Sequence, residues 1–125
     1  MKPVIDNDSA PYWEGLKQGR LLIQRCPSTG RYQWYPRGHS IHDPTAIPEW
    51  VEASGTGEVF SFTVIHRGNT KRPPYNCAMI RLDEGVIMLA SLRGIEEADL
   101  RIGQRVRVDF EPLDDEITLP VFRPL

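Results

Sequence analysis

The chain is poor in cysteine, in cationic excess and in long apolar runs, and each shortage removes a class of function. Only Cys26 and Cys77 occur in 125 residues, so this chain's own thiols cannot build a four-thiolate zinc or iron centre. The start, Met1-Lys2-Pro3-Val4-Ile5-Asp6, lacks the apolar stretch of an export signal, so reduced thiols and a cytoplasmic location are expected. Fifteen Lys and Arg against seventeen Asp and Glu leave a net charge of −2 and a pI near 5.9. A sequence-independent nucleic-acid binder needs a surplus of cations to release counterions from phosphates, and only a local patch is left open here. No apolar run approaches the roughly 20 residues that span a bilayer. There is no nucleophile elbow, no phosphate-cradling glycine loop and no HExxH helix, which disfavours an independent enzyme.

What is present is β-forming. Forty per cent hydrophobic and 26% charged residues are ordinary for a folded domain, and the 11 prolines and 10 glycines are scattered, a turn-rich pattern. Residues 8–18 read as a short amphipathic helix with Ser9 as cap, Pro11 in the first turn and Gly19 as stop. Leu21 to Gln24 reads as a strand, and residues 27–48 carry no period, so this long loop needs something to hold it. From Trp50 onward the pattern is β throughout. Phe60, Phe62 and Val64 alternate with Ser61 and Thr63, which predicts both phenylalanines on the inner face. Two apolar runs, 76–82 and 86–92, flank the hairpin signal Asp83-Glu84-Gly85. Residues 105–110 alternate strictly, and 118–122 form a last strand, expected at an edge because of Pro120. A short turn or helical piece over 96–100 precedes the fourth strand. Five strands with one such insertion fit an OB barrel. The expected organisation is a helix and ribbon over residues 1–49 and a barrel over 50–125.

The stretch from 26 to 43 carries the most information. Cys26, Thr29, Ser40 and Asp43 occupy the frame C-x2-C-x10-C-x2-C of a zinc ribbon, with Gly30 after the second position, where a knuckle turn favours glycine. Three of the four ligand positions lack cysteine, and His39 and His42 lie beside them. A substitute metal site from Cys26, His39, His42 and Asp43 is one reading and a solvated loop the other, and the loop is preferred because His39 is one residue out of frame. If zinc is absent, a contribution to folding on the order of 10 kcal/mol must be replaced, with Tyr32, Trp34, Tyr35 and Trp50 as candidates.

These segments resemble the acyl-CoA-associated proteins that join a rubredoxin-like zinc ribbon to an OB fold. The likeness runs from Tyr12-Trp13-Glu14-Gly15-Leu16 through Gln24-Arg25-Cys26-Pro27 and Tyr35-Pro36-Arg37, and on to Val51-Glu52-Ala53-Ser54-Gly55-Thr56-Gly57. It closes with Leu100-Arg101-Ile102-Gly103-Gln104 and Thr118-Leu119-Pro120-Val121-Phe122. The resemblance implies a mainly β fold and a non-catalytic accessory subunit for a thiolase-like, aldolase or hydratase protein acting on CoA thioesters. Such a subunit stabilises its partner and helps shape a CoA or substrate channel, and no cofactor of its own is expected.

Six residues are candidates for contact with CoA or the partner: Trp34, Tyr35 and Arg37 in the irregular loop, and Arg67, Lys71 and Arg72 in the basic segment 66–74. The cations suit phosphates or acidic groups, and a solvated loop is the plainer account of each. His66 has no orienting partner visible in the sequence, and Cys77 lies in an apolar strand where a thiol serves as a small hydrophobe. The competing function is a single-stranded nucleic-acid binder, since OB barrels stack bases on aromatics.

Overall fold

A computed structural model describes residues 3–66 and 74–125 of the chain. It opens with α1 (Ala10–Lys17), followed by β1 (Leu22–Arg25), β2 (Tyr32–Gln33) and β3 (Glu49–Glu52). These three strands form an antiparallel sheet in the order β2-β1-β3. Strands β4 (Thr56–Ile65), β5 (Tyr75–Leu82), β6 (Ile87–Leu92), β7 (Arg105–Pro112) and β8 (Thr118–Pro124) follow, with a 3-10 turn at Glu97–Asp99 before β7. They close into a barrel in the order β4-β5-β6-β8-β7, the five-stranded OB plan with its insertion before the fourth strand.

The helix forms where expected, with Pro11 in its first turn and Gly19 at φ +73 beyond its end. Ser9 does not cap it. Its buried hydroxyl instead accepts the Trp13 indole N–H (3.2 Å) and donates to Asp6 Oδ1 (2.8 Å). Ser9 thereby fixes the rotamer of an aromatic ring. Tyr12, Trp13 and Leu16 form the helix's buried face and join Ile23, Val59, Ile80, Val106 and Phe122 in one core cluster.

Two strand expectations are corrected. Phe60 points outward, 44% exposed, because the β4–β5 register shifts between Val59 and Ser61. Phe60 is the extra residue of that bulge, which resets the in–out alternation, so Phe62 still packs against the core. Arg81 lies over the displaced Phe60 ring, 5.2 Å from its centroid. The second correction concerns β8, which is no edge. It pairs with β7 over residues 118–124 and with β6 at Val121 and Phe122, so Pro120 sits just before the β6 pairing begins. Gly57 lies inside β4 where that strand pairs with both β5 and β7. A Cβ there would collide with the Arg81 carbonyl oxygen, a close backbone approach that favours glycine. Gly57→Ala is expected to cost about 2 kcal/mol through overpacking, read from the urea midpoint; an unchanged midpoint would show that the strands give way freely.

Candidate functional site

The long loop between β2 and β3 is held by two glutamines. Gln24 on β1 and Gln33 on β2 face each other in register and are both buried. Gln24 Oε1 accepts the Arg37 backbone N–H (2.8 Å) and the Gln33 amide (2.7 Å), and its Nε2 donates to the Arg37 carbonyl (2.8 Å). Gln33 Oε1 accepts the Ile41 N–H (2.9 Å), and its Nε2 also reaches the His39 carbonyl (3.3 Å). Four amide-side-chain groups thus satisfy backbone atoms of a loop that makes few ladder bonds. Nothing in the hydrophobic pattern signals this role, since buried glutamine is uncommon.

The loop so fixed presents its aromatics to the barrel. Tyr12 meets Trp13 edge-on at 5.0 Å and Trp34 at 4.9 Å, and Trp34 meets Tyr35 at 5.4 Å. The Trp34–Tyr35 peptide bond is cis. These rings wall one side of a cleft of about 370 Å³, whose other side is barrel surface from Cys77, Leu89, Ser91, Arg93, Leu119 and Pro120. The volume falls in the range of small-ligand sites, about 300–1,000 Å³. Of the expected contact residues, Trp34 and Tyr35 are brought together here. Arg37 is exposed and is not among the cleft-lining residues. Arg67, Lys71 and Arg72 lie outside the described residues.

Arg93 was not singled out from the sequence, and among the described residues it is the cationic side chain lining the cleft. Glu111 holds its guanidinium with two hydrogen bonds of 3.1 and 3.2 Å. The clue, a charge just past an apolar run, is too common to be diagnostic. Burial, and secondarily Tyr35, push the Tyr12 hydroxyl far above its ordinary value, so it stays protonated. Among the described residues that line the cleft, Cys77 is partly buried and none is a histidine, so they offer no nucleophile–base pair of the kind covalent catalysis needs. His66 does gain a partner, Glu97 at 3.5 Å, but both side chains are 59% exposed, which makes this a surface pair.

The two turns that carry the ribbon positions touch through Ser28 and Asp43, but the residues there do not fit a metal. Cys26 is fully buried. Hydrogen bonds from the hydroxyls of Ser28, Ser40 and Thr29, in that order, pull its thiol down to about 6 against the opposing effect of burial. Ser28 Oγ also lies 2.7 Å from Asp43 Oδ2 and donates to it. With a single proton to give, Ser28 supports the sulfur only when turned from that carboxylate. Ser40 and Thr29 accept backbone N–H groups, from His42, Asp43 and Arg31, so their own protons remain for the sulfur. The other Asp43 oxygen is taken by Thr45, and His42 Nε2 is 2.9 Å from the Tyr32 carbonyl. Among the described residues no three His, Cys, Asp or Glu side chains group as metal ligands, and no helix is long and apolar enough to cross a membrane.

Comparison with known proteins matches residues 13–40 to the ChsH2 rubredoxin-like zinc ribbon domain and residues 50–111 to the ChsH2 C-terminal OB-fold domain. A "probable enoyl-CoA hydratase alpha subunit" of Thermomonospora curvata is 38% identical over 98% of this chain. The "3-oxo-4,17-pregnadiene-20-carboxyl-CoA hydratase alpha subunit" of Mycobacterium tuberculosis is 35% identical over 92% of it. The chain spans only 39% and 37% of those two proteins' lengths. Among solved structures, a chain of the "Ltp2-ChsH2(DUF35) aldolase" superimposes with a TM-score of 0.90 at 38% identity, covering 98% of both chains. On this full-length agreement of sequence and fold, the chain belongs to the ChsH2 family, in which a rubredoxin-like zinc ribbon is followed by an OB-fold barrel.

Proposed function

We propose that this chain is a non-catalytic accessory subunit of a thiolase-like, aldolase or hydratase enzyme acting on acyl-CoA thioesters. Residues 1–49 and 50–125 act as its ribbon and barrel parts. The observation that carries this reading is the end-to-end likeness to the chain of the Ltp2-ChsH2(DUF35) aldolase. The cleft supports it, being aromatic and apolar without an acid–base pair. Such a surface suits packing against another protein and shaping a channel at their junction. In this reading Trp34, Tyr35 and Arg37 meet the partner or its CoA thioester, with Arg67, Lys71 and Arg72 supplying further positive charge. The complex works in the cytoplasm, where CoA thioesters are handled, and this subunit brings no cofactor.

The nucleic-acid reading gains one observation, the outward Phe60 beside Arg81, because bases stack on exposed aromatics. It remains the weaker reading, since Glu58 pairs with that arginine and the chain is net negative.

The test is co-expression with any thiolase-like, aldolase or hydratase-like proteins found encoded beside it. A stable complex should co-purify with one of them, the pure chain should turn over no acyl-CoA thioester, and the complex should do so. Sustained turnover by the isolated chain, or its separate elution from every such neighbour, would overturn the assignment. A gel shift at low salt with single-stranded oligonucleotides would favour the alternative.

A further inference from the structure

We infer that the ribbon of this chain is a metal-free ribbon, closed by a cage of hydroxyl groups around Cys26 at the place where zinc would sit. The backbone retains the ribbon's form. The first turn is set by the Gly30 N–H on the Cys26 carbonyl (2.8 Å) and the Cys26 N–H on the Arg31 carbonyl (2.8 Å), with Gly30 at φ +74. The second turn is set by the Ser40 N–H on the Ala46 carbonyl (3.0 Å) and by Ser40 Oγ, which accepts the N–H groups of His42 (3.0 Å) and Asp43 (3.1 Å). Ser40 is fully buried, so this hydroxyl has no water to fall back on.

A zinc ion does two things in a ribbon: it ties the two turns together and it compensates the sulfur's lone pairs with positive charge. Hydroxyl protons can do both at smaller scale. Ser28 Oγ stands 3.3 Å from Cys26 Sγ and 2.7 Å from Asp43 Oδ2, which joins the first and fourth ligand positions across the two turns. Ser40, at the third position, is buried on the opposite turn, and Ser40 and Thr29, at the second, only accept in their N–H bonds, so each keeps a hydroxyl proton to offer the sulfur. The energy once drawn from metal binding is distributed over these bonds and the Gln24–Gln33 pair, each contributing about 1 kcal/mol. Independence from metal supply, and a ribbon that chelators leave intact, follow from that distribution. This inference concerns the chain alone and stands whichever protein is its partner.

The test compares metal content and chelator sensitivity in the wild-type chain and in the variant carrying Thr29→Cys, Ser40→Cys and Asp43→Cys. The wild type should carry less than about a tenth of an equivalent of zinc, and EDTA should leave its Tm unchanged. The triple variant should take up about one equivalent per chain, give the tetrahedral thiolate spectrum with cobalt, and lose Tm on chelation. Near-stoichiometric zinc in the wild type, or unfolding of it by EDTA, would overturn the inference. So would a folded triple variant that binds no zinc or cobalt, because the four positions would then not converge. Should the triple variant not fold, Ser40→Ala decides: it should lower Tm by about 5 °C with zinc content still near zero. An unchanged Tm would remove the cage from the account.

Discussion

Gln24→Leu is expected to destabilise the chain by about 3 kcal/mol and to collapse the aromatic wall of the cleft. Leucine is close to glutamine in volume, so the loss at this buried position is chiefly of hydrogen bonding. Two groups lose their partner, the Arg37 N–H and the Arg37 carbonyl, and the Gln33 side-chain amide keeps only its longer bond to the His39 carbonyl (3.3 Å). Each buried polar group left without a partner costs about 1–3 kcal/mol, less whatever water recovers as the loop loosens. Loosening is itself the functional damage, because Trp34 and Tyr35 hang on the segment between Gln33 and Arg37. The measurements are a urea titration and tryptophan fluorescence. The midpoint should fall by the equivalent of about 3 kcal/mol, and emission should shift red well before global unfolding. Gln33→Leu should do nearly the same, and the double variant should cost less than the sum, as expected for two members of one network. A loss below about 1 kcal/mol in both single variants would mean that ring packing, not the glutamine pair, holds the loop.

The readable and unreadable parts of this chain divide along a physical line. Helix α1, the hairpin around Gly85 and the strict alternation of 105–110 were legible because each is a local pattern: a turn residue or a period decides it. Gly85 takes φ +94 and donates to the Leu82 carbonyl, as its hairpin signal requires. The ribbon was legible because spacing survives the loss of ligands: residues 13–40 match the ribbon domain although Thr29 and Ser40 stand where the frame has cysteine. What stayed hidden was non-local. The bulge at Phe60 depends on the β5 register, which β4's own alternation does not report. The interior place of β8 depends on barrel closure, which a proline argument for an edge does not see. Arg93 faces the cleft only because β6 and β8 lie side by side. The glutamine pair is invisible to hydrophobic patterning, since its value lies in carbonyls and amides six to thirteen residues away.

Leu89→Asp is expected to weaken binding to the proposed partner subunit about 100-fold while leaving the chain's own stability within about 0.5 kcal/mol of wild type. Leu89 is 63% exposed and Met79, its cross-strand neighbour in register, is 41% exposed, an outlay of apolar surface that the barrel's own core does not use. The outward Phe60 extends this surface across β4, and the 45%-exposed Tyr35 borders the cleft on the loop side. Clustered exposed apolar groups on a folded domain mark contact surfaces more often than isolated ones do. Leu89 sits where strip and cleft meet, so a carboxylate there would be buried without a counter-ion in any complex that covers both. In the free chain it would remain hydrated, hence the small effect on folding. The measurement is titration calorimetry with the co-purifying partner, alongside thermal melts of the free chain. Ile102→Asp serves as the control, because Ile102 is 70% exposed but does not line the cleft. If Ile102→Asp abolished binding while Leu89→Asp bound normally, the partner would dock near the turn before β7, and the aromatic cleft would face solvent in the assembled enzyme. The opposite pattern ties the loop held by Gln24 and the apolar strip of Phe60, Met79 and Leu89 to one docking face.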